Sequence, residues 1–293
     1  MIDARILPAL HARLAAAFAP PSVPLVRFEV DAARVGELTP GRARRVAAFV
    51  DVLDVDRFRV TFARDCASAD ARTEGMDRVA RALAAEGALS AWRDERYDVR
   101  AGEAGAPLFR LERAAARYFG IRTQAVHVNG LVDQDGGAAT WIARRSATKA
   151  IDPGLLDNLV GGGIAAGATA GQTLIKEAWE EAGIDAATAS RAQPVGMLRI
   201  RRLQPDGLQH ETIHVHDLWL PREFVPRNQD GEAIEHRLVP LAALPAQLAQ
   251  DTGHDALTAD ASLVALDALI RLGVIDADDA LYPWFAALCG EGR

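Results

Sequence analysis

Residues 161–184 constrain this chain more than any other stretch: three consecutive glycines, a short loop, then a helix-forming run with three glutamates in five positions. Thr169 and Gln172 stand three apart, as the reciprocal pair of a capping box does, so a helix is expected from about Ala170. Gly183 would end it, since glycine takes the left-handed conformation of a helix stop at least cost. At the helical period Glu177, Glu180 and Glu181 share one side, and Leu174, Ile175, Ala178, Trp179 and Ala182 the other. Three carboxylates on one turn repel each other unless a cation lies among them. Lys176 is placed to pair with Glu180 at i,i+4 but cannot serve all three. A hard divalent ion can, and Mg²⁺ favours a few carboxylates, waters and substrate phosphates. An acidic helix face by itself is ordinarily just solvated. The glycine turn upstream is what points the pattern towards an ion and a phosphate.

This stretch resembles the Nudix motif, which in words is Gly, five residues, Glu, seven residues, Arg-Glu, an aliphatic residue, any residue, Glu-Glu, any residue, Gly, aliphatic. Gly162 stands at its opening, and Lys176, Glu177, Glu180, Glu181, Gly183 and Ile184 at its close. Ala168 stands where the family has Glu, and Lys176 where it has Arg. The likeness continues through residues 92–97, 112–113, 119–120, 126–130, 141–146, Lys149, 153–160, 228–232 and 261–264. Over nearly the whole chain it resembles the thiamine-pyrophosphokinase-related Nudix subgroup, which carries its own N-terminal domain. The resemblance implies an α/β fold: a Nudix α/β/α sandwich with a mixed sheet over residues 113–293, preceded by a smaller α+β N-terminal domain over residues 1–112. It implies a hydrolase of small diphosphates, with thiamine diphosphate and its oxidised forms cut to monophosphates. It also implies Mg²⁺ or Mn²⁺ held by Glu177, Glu180, Glu181 and the backbone carbonyl of Gly161.

The chain has 293 residues, 49% hydrophobic and 25% charged, enough for two domains. A net charge of -7 argues against a large nucleic-acid footprint. Two cysteines, Cys66 and Cys289, suggest no disulfide framework and fit a reducing compartment or simply reduced packing residues. No apolar run approaches a membrane span. Ile6, Leu10, Leu14 and Phe18 recur every four residues and predict an amphipathic helix, while Asp3, Pro8, His11 and Arg13 interrupt any signal-peptide core. The expected compartment is the cytoplasm. The expected partner is a small-molecule diphosphate, with no nucleic acid and no membrane, and with a homodimer left open.

In the first domain, strands are expected over residues 23–30 and 57–62, and helices from Thr39-Pro40 and over residues 73–86. The charged run 92–99 reads either as a ligand site or, by preference, as a strand anchored by Trp92 and Tyr97 with its charges solvated. Residues 101–107 read as the linker and 111–119 as a helix ended by Gly120. In the second domain two hairpins are expected, residues 123–145 and 195–218, with helices over 241–250 and 259–272. Strands and helices mixed in this way suggest a sandwich around a mixed sheet.

Breaking P–O–P needs charge neutralisation at the phosphates and an activated water. Metal ions on the three glutamates would supply both, and glycine at 161 to 163 lets the main chain come close to ion and substrate. The general base stays open between Glu177 and two later-loop acids, Glu232 and Glu235. Phosphate also needs cations. Of Arg144 and Arg145 at most one faces the site, because neighbours on a strand point to opposite faces; Arg144 is preferred, with Lys149, Gly162, Gly163 and Glu232 as further substrate contacts. Arg199, Arg201 and Arg202 read as a solvated face. Asp157 and Asn158 read as orienting the glycine loop, and His210, His214 and His216 as structural. The competing readings are a hydrolase of a nucleoside diphosphate derivative and a ligand-binding module that has lost activity, the latter favoured by Ala168. An isoprenyl diphosphate isomerase would need a catalytic cysteine in the Nudix-like core, and neither cysteine lies there.

Overall fold

The computed structural model describes residues 5–102, 105–149, 151–250, 252–276 and 278–289. α1 (Ile6–Ala17) forms where the four-residue spacing predicts it; Asp3 lies outside the described residues. Although first in the chain, this helix packs on the second core. Leu10, Leu14 and Phe18 lie with Leu244, Leu263 and Phe285, and Arg13 donates to the carbonyls of Leu248 and Leu257, each at 2.7 Å.

β1 (Val26–Val30), β2 (Ala33–Leu38), β3 (Leu53–Val55) and β4 (Arg59–Phe62) make a four-stranded sheet in the order β2-β1-β4-β3. Asp31 and Ala32 turn the first hairpin with φ of 49° and 67°, a pair of positive values that matches the twist of the flanking strands. α2 (Pro40–Val46) carries proline where no N–H partner is needed. α3 (Ala69–Ala85) is capped by Ser68 and buries Met76, Val79, Ala80 and Leu83. β5 (Arg96–Val99) and β6 (Phe109–Glu112) pair antiparallel as a separate ribbon.

Two sequence expectations fail in this ribbon. Residues 101–107, of which 103 and 104 lie outside the described set, do not link domains. They join β5 to β6, and the Leu108 amide donates to the Val99 carbonyl at 2.7 Å. Residues 111–119 are not one helix either. Phe109 and Leu111 are buried on β6 in the first core, and that tertiary burial outweighs local helix preference; only the short 3₁₀ turn Arg113–Ala115 follows.

The second sheet has seven strands: β7 (Arg122–Gln134), β8 (Gly137–Arg145), β9 (Leu156–Asn158), β10 (Val160–Gly163), β11 (Gln193–Gln204), β12 (Gly207–Trp219) and β13 (Ala233–Pro240). Its order is β11-β12-β7-β8-β13, with β10 paired to β7 and β9 to β8. β12 runs parallel to β7 and the other pairs are antiparallel, so the sheet is mixed. Both faces are covered, and β7 is accordingly buried without a break from Ala125 to Val132. Ala125 and Leu131 face a core shared with α1, α6 (Leu244–Leu248), α7 (Ala259–Arg271) and α8 (Leu281–Cys289). Val126, Val128 and Val132 face a core shared with α4 (Ala170–Ala182) and α5 (Ala186–Ala189). This is the expected α/β sandwich. Helix α8 was not legible from the sequence, and the 241–250 helix shrinks to a 3₁₀ turn and the short α6. Among the described residues no helix is long and apolar enough to cross a membrane.

Candidate active site

α4 begins and ends as its sequence dictates. The Gln172 amide donates to Thr169 Oγ1 at 3.2 Å and the Thr169 amide to Gln172 Oε1 at 2.9 Å, closing the capping box. Gly183 stops the helix at φ 66°. The triple glycine departs from expectation: it is no turn but the edge strand β10, with Gly161 opposite His127 and Gly162 opposite Val126. The turn comes afterwards, at residues 164–169.

The strand needs glycine because α4 and β5 lie so near. A Cβ on Gly162 would sit 2.4 Å from Glu177 Cγ, and one on Gly163 would sit 2.3 Å from the Tyr97 hydroxyl. The Gly161 amide donates to Glu181 Oε2 at 2.8 Å. Thus Glu177 and Glu181 are pressed against strand β10 from two successive turns. Burial raises both carboxyls above the ordinary glutamate range. Trp179, expected on the buried face, is 53% exposed; Thr173 is buried.

Two lysines meet the three acids. Lys176 Nζ reaches Glu180 Oε2 at 2.5 Å and Glu177 Oε1 at 3.1 Å. Lys149 Nζ lies 3.8 Å from Glu181 Oε1 and pairs with Glu232, and burial lowers its pKa. With Glu180 turned to one lysine and Glu181 to the other, no group of three or more His, Cys, Asp or Glu converges to hold a metal among the described residues. The donor set itself suits a hard divalent ion: carboxylate oxygens, two of them on buried acids that burial makes reluctant to stay charged, beside a glycine backbone that ions can approach.

A cleft of about 400 Å³ opens beside this helix. Thr123, Ala125 and His127, alternate residues of β7, form its floor, with Glu211 of β12 in register beside Thr123. His127 Nδ1 meets Asn158 Oδ1 at 2.8 Å, which fixes the ring. One wall carries Gly161, Gly162, Glu177 and Glu180, with the buried Glu181 outside the lining. The facing wall comes from the first part of the chain: Arg93, Glu95, Tyr97, Arg113 and Arg117 all line the cleft. Arg113 donates to Glu95 at 2.5 Å and lies over the Tyr97 ring at 5.7 Å. Burial pushes the Tyr97 hydroxyl up to about 12, so it stays protonated. The preference for a strand with solvated charges at residues 92–99 is therefore corrected. β5 covers only its second half, and three of the charged or polar side chains in that run turn into the cleft.

Arg144 is a second correction. Its guanidinium is buried on the other side of β8, held by Glu235 and Asp255 at 2.7 Å each and by the Gly154 carbonyl at 3.0 Å. Arg145 faces the cleft instead, bonded to Asp157 at 2.6 Å and to the Ile151 carbonyl at 2.8 Å. Alternation allowed one of the two, and the acids on β13 and near α7 select which. Glu235 goes with Arg144 and leaves the site; Glu232 and Lys149 line it. Arg201 binds Glu37 at 2.7 Å, and Arg202 binds Gln209 at 2.7 Å. His214 meets Gln124, and burial pushes His210 down to about 4. The residues sequence reasoning missed are Arg113, Arg117, Tyr97, His127 and Arg145. Alternation along β7 is the one signal that could have placed His127.

A mixed sheet between helix layers, with a glycine edge strand laid against a helix of three glutamates, defines a Nudix-type domain. Comparison with known proteins agrees: the NUDIX domain model matches residues 122–261, and a domain of unknown function, DUF4743, matches residues 17–123. The chain is 34% identical to Nudix hydrolase 24, chloroplastic, of Arabidopsis thaliana over 88% of its own length and 70% of that protein. It is 39% identical to Nudix hydrolase 20, chloroplastic, of the same plant, over 72% of its length and 56% of that protein. A solved Deinococcus radiodurans structure shares 23% identity over 58% of this chain and 97% of that one, with a TM-score of 0.44. The chain belongs to the Nudix hydrolase family, whose members generally use divalent metal ions.

Proposed function

We propose that this protein is a divalent-metal-dependent pyrophosphohydrolase that cleaves a small organic diphosphate to its monophosphate and phosphate. The observation that carries this reading is the approach of α4 to β10: Glu177 against Gly162, and Glu181 on the Gly161 amide. Glu177, Glu180, Glu181 and the Gly161 carbonyl would hold Mg²⁺ or Mn²⁺, which neutralises phosphate charge and lowers the pKa of water. Arg113, Arg145 and Lys149, which line the cleft with Gly162 and Gly163, would grip the phosphates. Water adds to phosphorus, the bridging P–O bond breaks, and the water proton passes to a carboxylate. Glu177 and Glu232 line the cleft and are the candidates for that role; Glu235 is withdrawn.

Thiamine diphosphate or an oxidised analogue is the proposed substrate. It rests on the subgroup resemblance, and the cleft floor supports it. From His127 to Thr123 the floor runs about 13 Å, four strand residues. Glu211 stands at the end away from Gly161, suited to an organic group carrying positive charge or N–H donors. A ligand-binding role without turnover is favoured by one observation, the engagement of the three glutamates by Lys149 and Lys176. The test is a Mg²⁺- or Mn²⁺-dependent screen of diphosphates that includes thiamine diphosphate, its oxidised analogues and nucleoside diphosphate derivatives. Monophosphate release from the thiamine compounds is expected. Faster turnover of nucleoside compounds would displace the substrate, and no turnover with any would leave the binding role.

A further inference from the structure

Loop 164–169 joins strand β10 to α4, and so sets where Glu177 and Glu181 stand against Gly161 and Gly162. Its own means of holding shape are few. The Ile164 amide donates to the Gln124 carbonyl at 2.8 Å, the Ala168 amide to the Ala165 carbonyl at 3.0 Å, and Thr169 belongs to the capping box. Thr169 and Ile164 secure the two ends of the loop against α4 and its core, but between them Ala165, Ala166, Gly167 and Ala168 have no polar side chain to hold the middle.

The middle of the loop is held from outside. The Ala166 amide donates to the Arg96 carbonyl at 2.7 Å. The Gly167 amide donates to Asp98 Oδ2 at 3.0 Å. Between these two anchors, Tyr97 packs its hydroxyl where a Gly163 side chain would be. Three successive residues of β5 therefore touch the segment that runs from β10 into α4. β5 is in turn bolted to the first core. Arg96 pairs with Asp77 of α3. Asp98, its side chain 10% exposed, is gripped by Arg110 at 3.1 Å and Arg100 at 2.8 Å. Burial alone would raise the Asp98 carboxyl, but the Gly167 amide and these two arginines outweigh it and hold it below the usual range.

We propose that β5, acting through Asp98, is a positioning element of the hydrolytic site. It fixes the middle of loop 164–169 and thereby the stance of the α4 carboxylates against the glycine strand, a task no side chain of residues 165–168 performs. The first part of the chain is then a working half of the site and not an appendage to it. The functional consequence rests on the hydrolase reading; the structural one does not.

Full-length Asp98→Ala and Asp98→Asn, compared with wild type, test this by amide hydrogen exchange and by kinetics. Asparagine keeps an oxygen for the Gly167 amide; alanine does not. In Asp98→Ala, exchange across residues 164–169 should rise about tenfold while α3 stays protected, as expected for loss of one charge-assisted hydrogen bond in a local unit. Asp98→Asn should restore most of that protection. If the hydrolase reading holds, kcat should follow the same order, with KM changing less. Unchanged exchange in the loop overturns the proposal, and so does equal loosening of loop and α3, or failure of asparagine to rescue. Should Asp98→Ala not fold, wild-type exchange decides. A strapped Gly167 amide exchanges on the timescale of α3, and exchange orders of magnitude faster overturns the idea. Because exchange is read without substrate, a failed hydrolase reading leaves this test intact.

Discussion

The two walls of the cleft were built by different rules. The α4 wall draws Glu177 and Glu180, with Glu181 behind them, from a single helix, where one period fixes their relation, and its net charge is negative even with Lys176 beside them. The facing wall draws Arg93, Tyr97, Arg113 and Arg117 from a loop, a strand and a 3₁₀ turn with its neighbours, and its net character is cationic. Between them an anionic guest and a divalent cation would each find their complement. A motif thus records the half of a site carried by one helix. The half assembled by tertiary folding leaves no spacing to read.

The largest effect that would break this contrast belongs to the acidic wall. Glu181→Gln keeps the side chain's shape beside the Gly161 amide but removes its charge, and kcat is expected to fall by about 10²–10³ while the fold is kept by circular dichroism. A loss under threefold would remove Glu181 from the site. Gly162→Ala comes next. The new methyl would meet Glu177 Cγ at 2.4 Å, so Glu177 must move; activity should drop at least about tenfold and stability by about 1–3 kcal/mol. The cationic wall should respond differently. Arg113→Ala is expected to raise KM about tenfold with kcat changed less, the pattern of lost substrate binding. If kcat falls and KM does not, Arg113 acts on the reaction and not on the grip.

The smallest kinetic effect is expected from Arg144→Leu, since Arg144 does not line the cleft; kcat/KM should stay within about twofold. Its signature is in acid stability. Hydrogen bonds from Arg237 and then Arg144 hold Glu235 down to about 2, and those from Arg144 and then Arg237 do the same for Asp255. Depressed carboxyls stabilise the fold fully above about pH 5, and that contribution drains away as pH falls towards 2. Melting temperature against pH should therefore slope steeply in that window for wild type and less so for Arg144→Leu. Equal slopes would show that the network does not couple to folding.

Part of the fold was legible because some patterns are local: the capping pair of α4, the four-residue spacing of α1 and the extended run of β7 survive into the structure, whereas the expected helix over residues 73–86 misses the first turn of α3 and its Ser68 cap. What was not legible is long-range. Nothing near Leu10 says that α1 packs against α7, and nothing near Gly102 says that β5 returns as β6 and not as a new domain. The same limit applied to the site. Arg144 and Arg145 are equivalent in sequence, and Asp255, 111 residues away from Arg144, decides between them. The triple glycine looked like a turn because glycines mark turns. It is a strand because it pairs with β7, and its residues are glycines because Glu177 and Tyr97 leave no room for side chains.

The most direct measurement is Mn²⁺ uptake, followed by electron paramagnetic resonance, by wild type and by Glu177→Gln/Glu181→Gln in the presence of a diphosphate. Wild type is expected to bind the ion in competition with Mg²⁺, and the double variant to lose at least about tenfold in affinity. Equal binding by both proteins would contradict the assignment of α4 as the ion-holding wall.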